Sequence, residues 1–180
     1  MKTFAIFYEA NLPKGVEQLP DGTYKQTRDN VTKYALDPQL LKLHRIDGPA
    51  TISPGSETWW LNGKRHRIGG PAFTQSSKMV IRATTGLVDV PYPQEQWYQN
   101  GQLHRIDGPA TISPDSETWW LNGKRHRIGG PAVIEPYYEE WWVEGAKLTE
   151  EDYNDLMKKL STLTDASDKE ATIAAATMFD

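Results

Sequence analysis

The chain contains no cysteine, which excludes a disulfide framework and any thiolate metal site. It has no run approaching the roughly 20 apolar residues that a membrane helix needs. The short apolar stretch in "MKTFAIFYEAN" is too brief for a signal-peptide core, and no small-residue cleavage site follows it. Gly-x-Ser-x-Gly, a phosphate-cradling Gly-rich loop before a helix, a carboxylate pair at a distinctive spacing, and His-x-His or His-x-x-x-His pairs are all missing. These absences point to a soluble cytoplasmic protein without metal or cofactor. They also point away from enzymes.

What is present suits a single domain: 180 residues, 38% hydrophobic and 24% charged, with seven Trp. The net charge of −4 is unevenly spread, with residues 40–132 carrying +4 and all four His, and residues 133–180 carrying −8. A basic centre and an acidic end fit either an anionic partner or a tail that folds back on the centre.

The dominant feature is repetition. "LHRIDGPATISPGSETWWLNGKRHRIGGPA" at 43–72 returns at 103–132 with one change, Gly55 against Asp115. Within it, His-Arg-Ile begins at His44, His66, His104 and His126, at intervals of 22, 38 and 22 residues. Fixed self-similarity at such periods marks a repeat array. The longer interval reads as one unit enlarged by an insertion at 74–94, and its prolines suggest a loop.

Each unit has readable local chemistry. Asn62-Gly63, Asn100-Gly101 and Asn122-Gly123 stand between strand-like runs and predict type I′ hairpin turns, which need positive φ at both central residues. Pairing outward from the turn sets Leu61 against Lys64 and Trp60 against Arg65, a cation–π pair. Continued alternation would place Trp59, Leu61, Lys64 and His66 on one face and Thr58, Trp60, Arg65 and Arg67 on the other. Gly-Pro-Ala then breaks the strand, because proline has no N–H to donate. One hairpin cannot bury its apolar atoms, but stacked neighbours can.

The predicted fold is therefore mainly β: an antiparallel hairpin repeat array closed by a C-terminal α-helix. Its parts are an N-terminal β cap at 1–39, from "TFAIFYEA" and "GTYKQT", and the array at 40–148. A capping helix follows at 149–160, with Thr149 as N-cap and Tyr153, Leu156 and Leu160 as its apolar stripe. Residues 161–180 form an acidic tail, loose or with a second short helix around 169–178.

The phrases "WWLNGKRHRIGGPA", "WYQNGQLHRIDGPA" and "WWVEGAK" resemble MORN-type repeats in a variant form. Such repeats place an aromatic before a Gly-containing hairpin turn. The His-Arg and Gly-Pro-Ala variant is similar to short repeat proteins of tailed bacteriophages and large viruses, and more distantly to antitoxin-like repeats. The chain departs from the usual unit, having Gly-Pro-Ala where Gly-x-Gly is customary, so lipid binding is not carried over. The resemblance implies a β-hairpin array for protein contacts, at work in a host cytoplasm if viral, and no enzyme activity.

The candidate binding residues are Trp60, Arg65, Arg67, Tyr98, Arg105, Trp120, Arg125 and Arg127, aromatic and Arg types that dominate protein interfaces. His44, His66, His104 and His126, with Asn62, Gly63, Asn122 and Gly123, read as structural repeat residues. In the structural reading each His packs on its cross-strand aromatic, and each Arg bonds the adjoining turn, as at Asp47 or Asp107. No catalytic or metal residue is expected. A line of His on successive hairpins does not converge on one ion, and repeated copies of one phrase lack the asymmetry of a catalytic centre. The leading function is a non-catalytic interaction protein, a viral inhibitor or modulator of a host factor. The first alternative is a nucleotide or nucleic-acid module using the Arg/His/Trp face, and the second a small hydrolase. No membrane contact is expected, and the exposed first edge with two Trp-bearing faces admits a homodimer.

Overall fold

The computed structural model describes residues 12–83 and 86–177, and "TFAIFYEA" lies outside them. Two compact units form, the first ending at Gly101 and the second beginning at Gln102.

The first unit holds β1 (Val16–Gln18), β2 (Tyr24–Arg28), β3 (Val31–Ala35), β4 (Thr51–Ser53), β5 (Ser56–Thr58), β6 (Trp60–Leu61), β7 (Lys64–Arg65), β8 (Phe73–Ala83), β9 (Gly86–Gln96) and β10 (Tyr98–Gln99). β1-β2-β3-β4-β5-β8-β9 pair in that order, all antiparallel. β6 and β7 leave the sheet as a separate two-stranded ribbon in the expected register, Trp60 opposite Arg65 and Leu61 opposite Lys64. Asn62 and Gly63 have φ of 53° and 78°, as a type I′ turn requires.

The second unit holds β11 (Gln102–Leu103), β12 (Thr111–Ser113), β13 (Ser116–Thr118), β14 (Trp120–Leu121), β15 (Lys124–Arg125), β16 (Val133–Glu135), β17 (Tyr138–Val143) and β18 (Ala146–Leu148). Helices α1 (Glu150–Thr162) and α2 (Ala166–Ala176) end it. The sheet order is β12-β13-β16-β17-β18, with β14–β15 again a ribbon. The molecule is thus mainly β, a hairpin meander followed by two C-terminal helices.

Two local expectations need correction. The insertion is not a loop: β8 and β9 form one long hairpin, paired from Phe73–Gln96 to Ala83–Gly86. Pro91 and Pro93 sit within β9, two residues apart, so both missing N–H groups fall on the same edge of the strand. The strict alternation through Trp59 also fails. Trp59 lies between β5 and β6, where the chain bends from sheet to ribbon, and its N–H donates to Ala72 O at 2.7 Å. Beyond that bend Arg67 sits 3.9 Å over the Trp59 ring, away from the Trp60–Arg65 face.

The insertion explains the one difference between the two long copies. Gly55 has φ +74°, and a Cβ there would lie 2.8 Å from Ser76 O on β8. Its carbonyl accepts from Ser76 N at 2.6 Å. Asp115 does not have positive φ, so a side chain is tolerated.

Small residues let sheet and ribbons approach. Ala35, Ala50 and Ala72 in the first unit, and Ala110 and Ala132 in the second, have no exposed surface. α1 begins as its sequence implies: Thr149 Oγ1 accepts from Asp152 N at 3.1 Å, and Tyr153, Leu156 and Leu160 are buried. With Val143 these three make a core that Trp141, Leu148 and Ile173 flank. α1 thereby covers β17 and β18.

Candidate functional site

The repeated phrase His-Arg-Ile-x-Gly-Pro-Ala resolves into one task per residue. The Nδ1 atoms of His44, His66, His104 and His126 accept the backbone N–H of Asn62 (3.0 Å), Asn100 (3.2 Å), Asn122 (3.2 Å) and Glu144 (3.2 Å). Each imidazole therefore ties its unit to the hairpin turn of the next ribbon. This link to the turn is what the spacing of the His serves. His126 Nδ1 also faces a carboxylate, Glu144 Oε1, at 2.9 Å. Burial lowers the His126 pKa from the ordinary 6.5, and Glu144 partly opposes that shift.

The Arg of each phrase packs flat inside its own loop. Arg45, Arg67 and Arg127 lie 4.1, 3.9 and 3.7 Å over the rings of Tyr34, Trp59 and Trp119. Arg45, Arg67, Arg105 and Arg127 donate from Nη1 to the carbonyls of Pro49, Pro71, Pro109 and Pro131. Arg45 and Arg105 also donate from Nε to Asp47 (2.8 Å) and Asp107 (3.0 Å), which holds both carboxyls below their usual range. The glycine before each proline is explained by that guanidinium. A Cβ on Gly48, Gly70, Gly108 or Gly130 would come within 2.9–3.1 Å of the Arg Cζ.

The ribbon arginines are occupied as well. Arg65 donates toward Tyr98 Oη and Gln96 Oε1 and lies 5.5, 5.5 and 5.2 Å from the rings of Trp60, Phe73 and Tyr98. Arg125 lies 5.4 and 4.9 Å from Trp120 and Trp142 and 3.5 Å from Glu140. All eight candidate binding residues from the sequence are half-buried. Trp60 Nε1 and Trp120 Nε1 are buried without an acceptor among the described residues, whereas Trp142 Nε1 donates to Glu140 at 2.8 Å.

The residue of the phrase with no internal task is the isoleucine. Ile46, Ile68 and Ile106 are 85%, 80% and 84% exposed. Ile128, in the last copy, falls to 48%. One exposed isoleucine needs no explanation, but the same exposed isoleucine at a fixed repeat position does. Sequence reading passed over it because apolar residues are normally assigned to the core. Its place between Arg and the Asp-Gly or Gly-Gly break, outside any strand, was the available signal.

These isoleucines line two open grooves of the same make-up, one in each unit. In the first unit Arg45–Gly48 faces Trp59, Leu61 and His66, enclosing about 460 Å³. In the second unit Arg105–Pro109 faces Trp119, Leu121 and His126, enclosing about 570 Å³. A further concavity, about 690 Å³, lies among β18, α1 and α2 and mixes Lys147 and Lys159 with Asp152 and Asp155.

α1 occupies the corresponding place at the array's end. Tyr153 Oη accepts from Gly129 N (2.6 Å) and Gly130 N (2.8 Å) and donates toward Arg127 O (3.3 Å). Around it, Trp141, Val143 and Leu148 stand where Trp59, Leu61 and His66 stand in the first groove. Among the described residues no three His, Asp or Glu side chains gather closely enough to hold a metal ion. Nor is any helix of the described residues long and apolar enough to cross a membrane.

Comparison with protein-family models, curated proteins and solved structures gives no match to the chain.

Proposed function

We propose that this protein is a non-catalytic interaction module that binds a protein partner through its exposed repeat isoleucines and the groove that each unit carries beside them. The observation that carries the reading is the exposure of Ile46, Ile68 and Ile106 at one repeat position, while the other residues of the phrase pack or bond within the array. Burying three such side chains gains about 1.5–3 kcal/mol each, enough to supply the centre of an interface. Trp59, Trp119 and the stacked arginines beside them offer rigid walls at little further cost in conformational entropy.

The repeat's likeness to those of tailed bacteriophages and large viruses supports a host or viral factor as the partner, met in the host cytoplasm. Nucleotide or nucleic-acid capture has less support. It needs available guanidiniums, and those of Arg45, Arg67, Arg105 and Arg127 each bond a proline carbonyl. The test compares wild type with the triple variant Ile46→Glu/Ile68→Glu/Ile106→Glu in affinity capture. The reading expects a stoichiometric protein bound by wild type alone, with both forms melting at the same temperature. Equal capture by both forms would refute it.

A further inference from the structure

The end of the array carries information about what its middle holds. At the last copy of the phrase, the chain's own α1 lays Tyr153 against the Arg127–Gly130 loop, and Ile128 loses nearly half the exposure of its counterparts. The same loop positions recur at Arg45–Gly48 and Arg105–Gly108. The facing positions recur as Trp59/Leu61 and Trp119/Leu121 where α1 meets Trp141/Val143. We propose that each of the two open grooves takes an amphipathic helix of the partner protein. That helix sets an aromatic hydroxyl side chain into the groove and follows it with leucines three and seven residues on, the pattern of Tyr153, Leu156 and Leu160. The inference rests on the interaction reading above and adds the chemistry of the partner.

Several features define the fit. The Arg45 and Arg105 carbonyls occupy the place of the Arg127 carbonyl, which Tyr153 Oη approaches at 3.3 Å. Asp47 and Asp107 replace Gly129 at the rim, with carboxylates 81% and 80% exposed. The open grooves therefore favour a hydroxyl that donates to a carboxylate, and a basic residue on the flank of the incoming helix. His66 and His126 replace Leu148, so these grooves have one more polar wall than the site α1 covers. A second copy of this chain is the poorer occupant, because lending its α1 would take Tyr153, Leu156 and Leu160 out of their own core.

The probe is a synthetic peptide of residues 148–163, cross-linked between positions 151 and 155 on its exposed face, because an isolated helix of this length is marginal in water. It is titrated into the full chain carrying labelled isoleucine methyl groups. The expected result is saturable shifts at Ile46, Ile68 and Ile106, none at the sheet residues Ile52 and Ile112, and about tenfold weaker binding when the peptide tyrosine becomes alanine. Shifts confined to Ile128 and Ile173 would mean that the peptide only exchanges with α1, and would overturn the proposal. Equal binding by the alanine peptide would also overturn it. So would concentration-dependent shifts without peptide, which would mark a second copy as occupant. If the Ile→Glu variant loses its protein partner but the peptide leaves the grooves unperturbed, this inference fails and the interaction reading survives.

Discussion

Gly55 and Asp115 occupy the same turn in two nearly identical segments, yet only one of them is free to vary. At Gly55 a side chain would combine positive φ with a 2.8 Å approach to Ser76 O. Gly55→Asp is expected to cost more than about 2 kcal/mol, against less than about 1 kcal/mol for Asp115→Gly, read by urea unfolding. Glu144 shows the opposite mismatch. Its φ is 51° where the other ribbon turns carry asparagine. Glu144→Asn should raise stability at neutral pH by about 1 kcal/mol. His126 contributes a second, pH-dependent effect. With its folded pKa below 6.5, the unfolded chain takes up the proton first. The stability due to the neutral imidazole is present above about pH 6.5 and is lost as pH falls through the depressed value. Removing Glu144 removes that opposing influence, so the variant's melting temperature should fall more steeply below pH 6.5 than that of wild type.

At the scale of elements, the turns were the most legible part of the sequence. Asn-Gly admits few backbone conformations, and Asn62-Gly63 and Asn122-Gly123 adopt the one expected. Helix α1 was legible for similar reasons, since Thr149 and the Tyr153–Leu156–Leu160 spacing fix both its start and its buried face. The β8–β9 hairpin was not legible. Pro91 and Pro93 suggest a loop unless it is known that their missing donors share one strand edge. The bend at Trp59 was hidden for a related reason: nothing in a run of Thr-Trp-Trp-Leu marks where a chain leaves one ladder for another. Tyr153 is the element-level surprise, a stripe residue that also bonds a distant loop through its hydroxyl. Tyr153→Phe keeps the packing and should cost about 1–3 kcal/mol. Amide hydrogen exchange should quicken at Gly129 and Gly130 more than elsewhere in the second unit, and uniform quickening would contradict the assigned bonds.

At the scale of the molecule, the reason for repetition emerges from the division of labour within the phrase. Sequence reading chose the Trp and Arg residues as a binding face because those types dominate interfaces. The structure engages them with one another: guanidinium on ring, guanidinium on proline carbonyl, imidazole on the next turn. A residue present in every unit usually serves what every unit shares, and here His, Arg, Gly and Ala all do. Isoleucine is the exception, repeated as faithfully but directed outward. Each copy adds one more exposed isoleucine beside the same groove wall, a sufficient physical reason for a chain to keep the copies nearly identical.

The most direct test of this division is a side-by-side unfolding measurement of two adjacent substitutions. Arg67→Ala removes the stack on Trp59 and the bond to Pro71 and is expected to lower stability by about 2 kcal/mol. Ile68→Glu alters an 80% exposed side chain and is expected to stay within about 0.5 kcal/mol of wild type. A stable Arg67→Ala protein beside a strongly destabilised Ile68→Glu protein would reverse the roles assigned to the two residues and contradict the account.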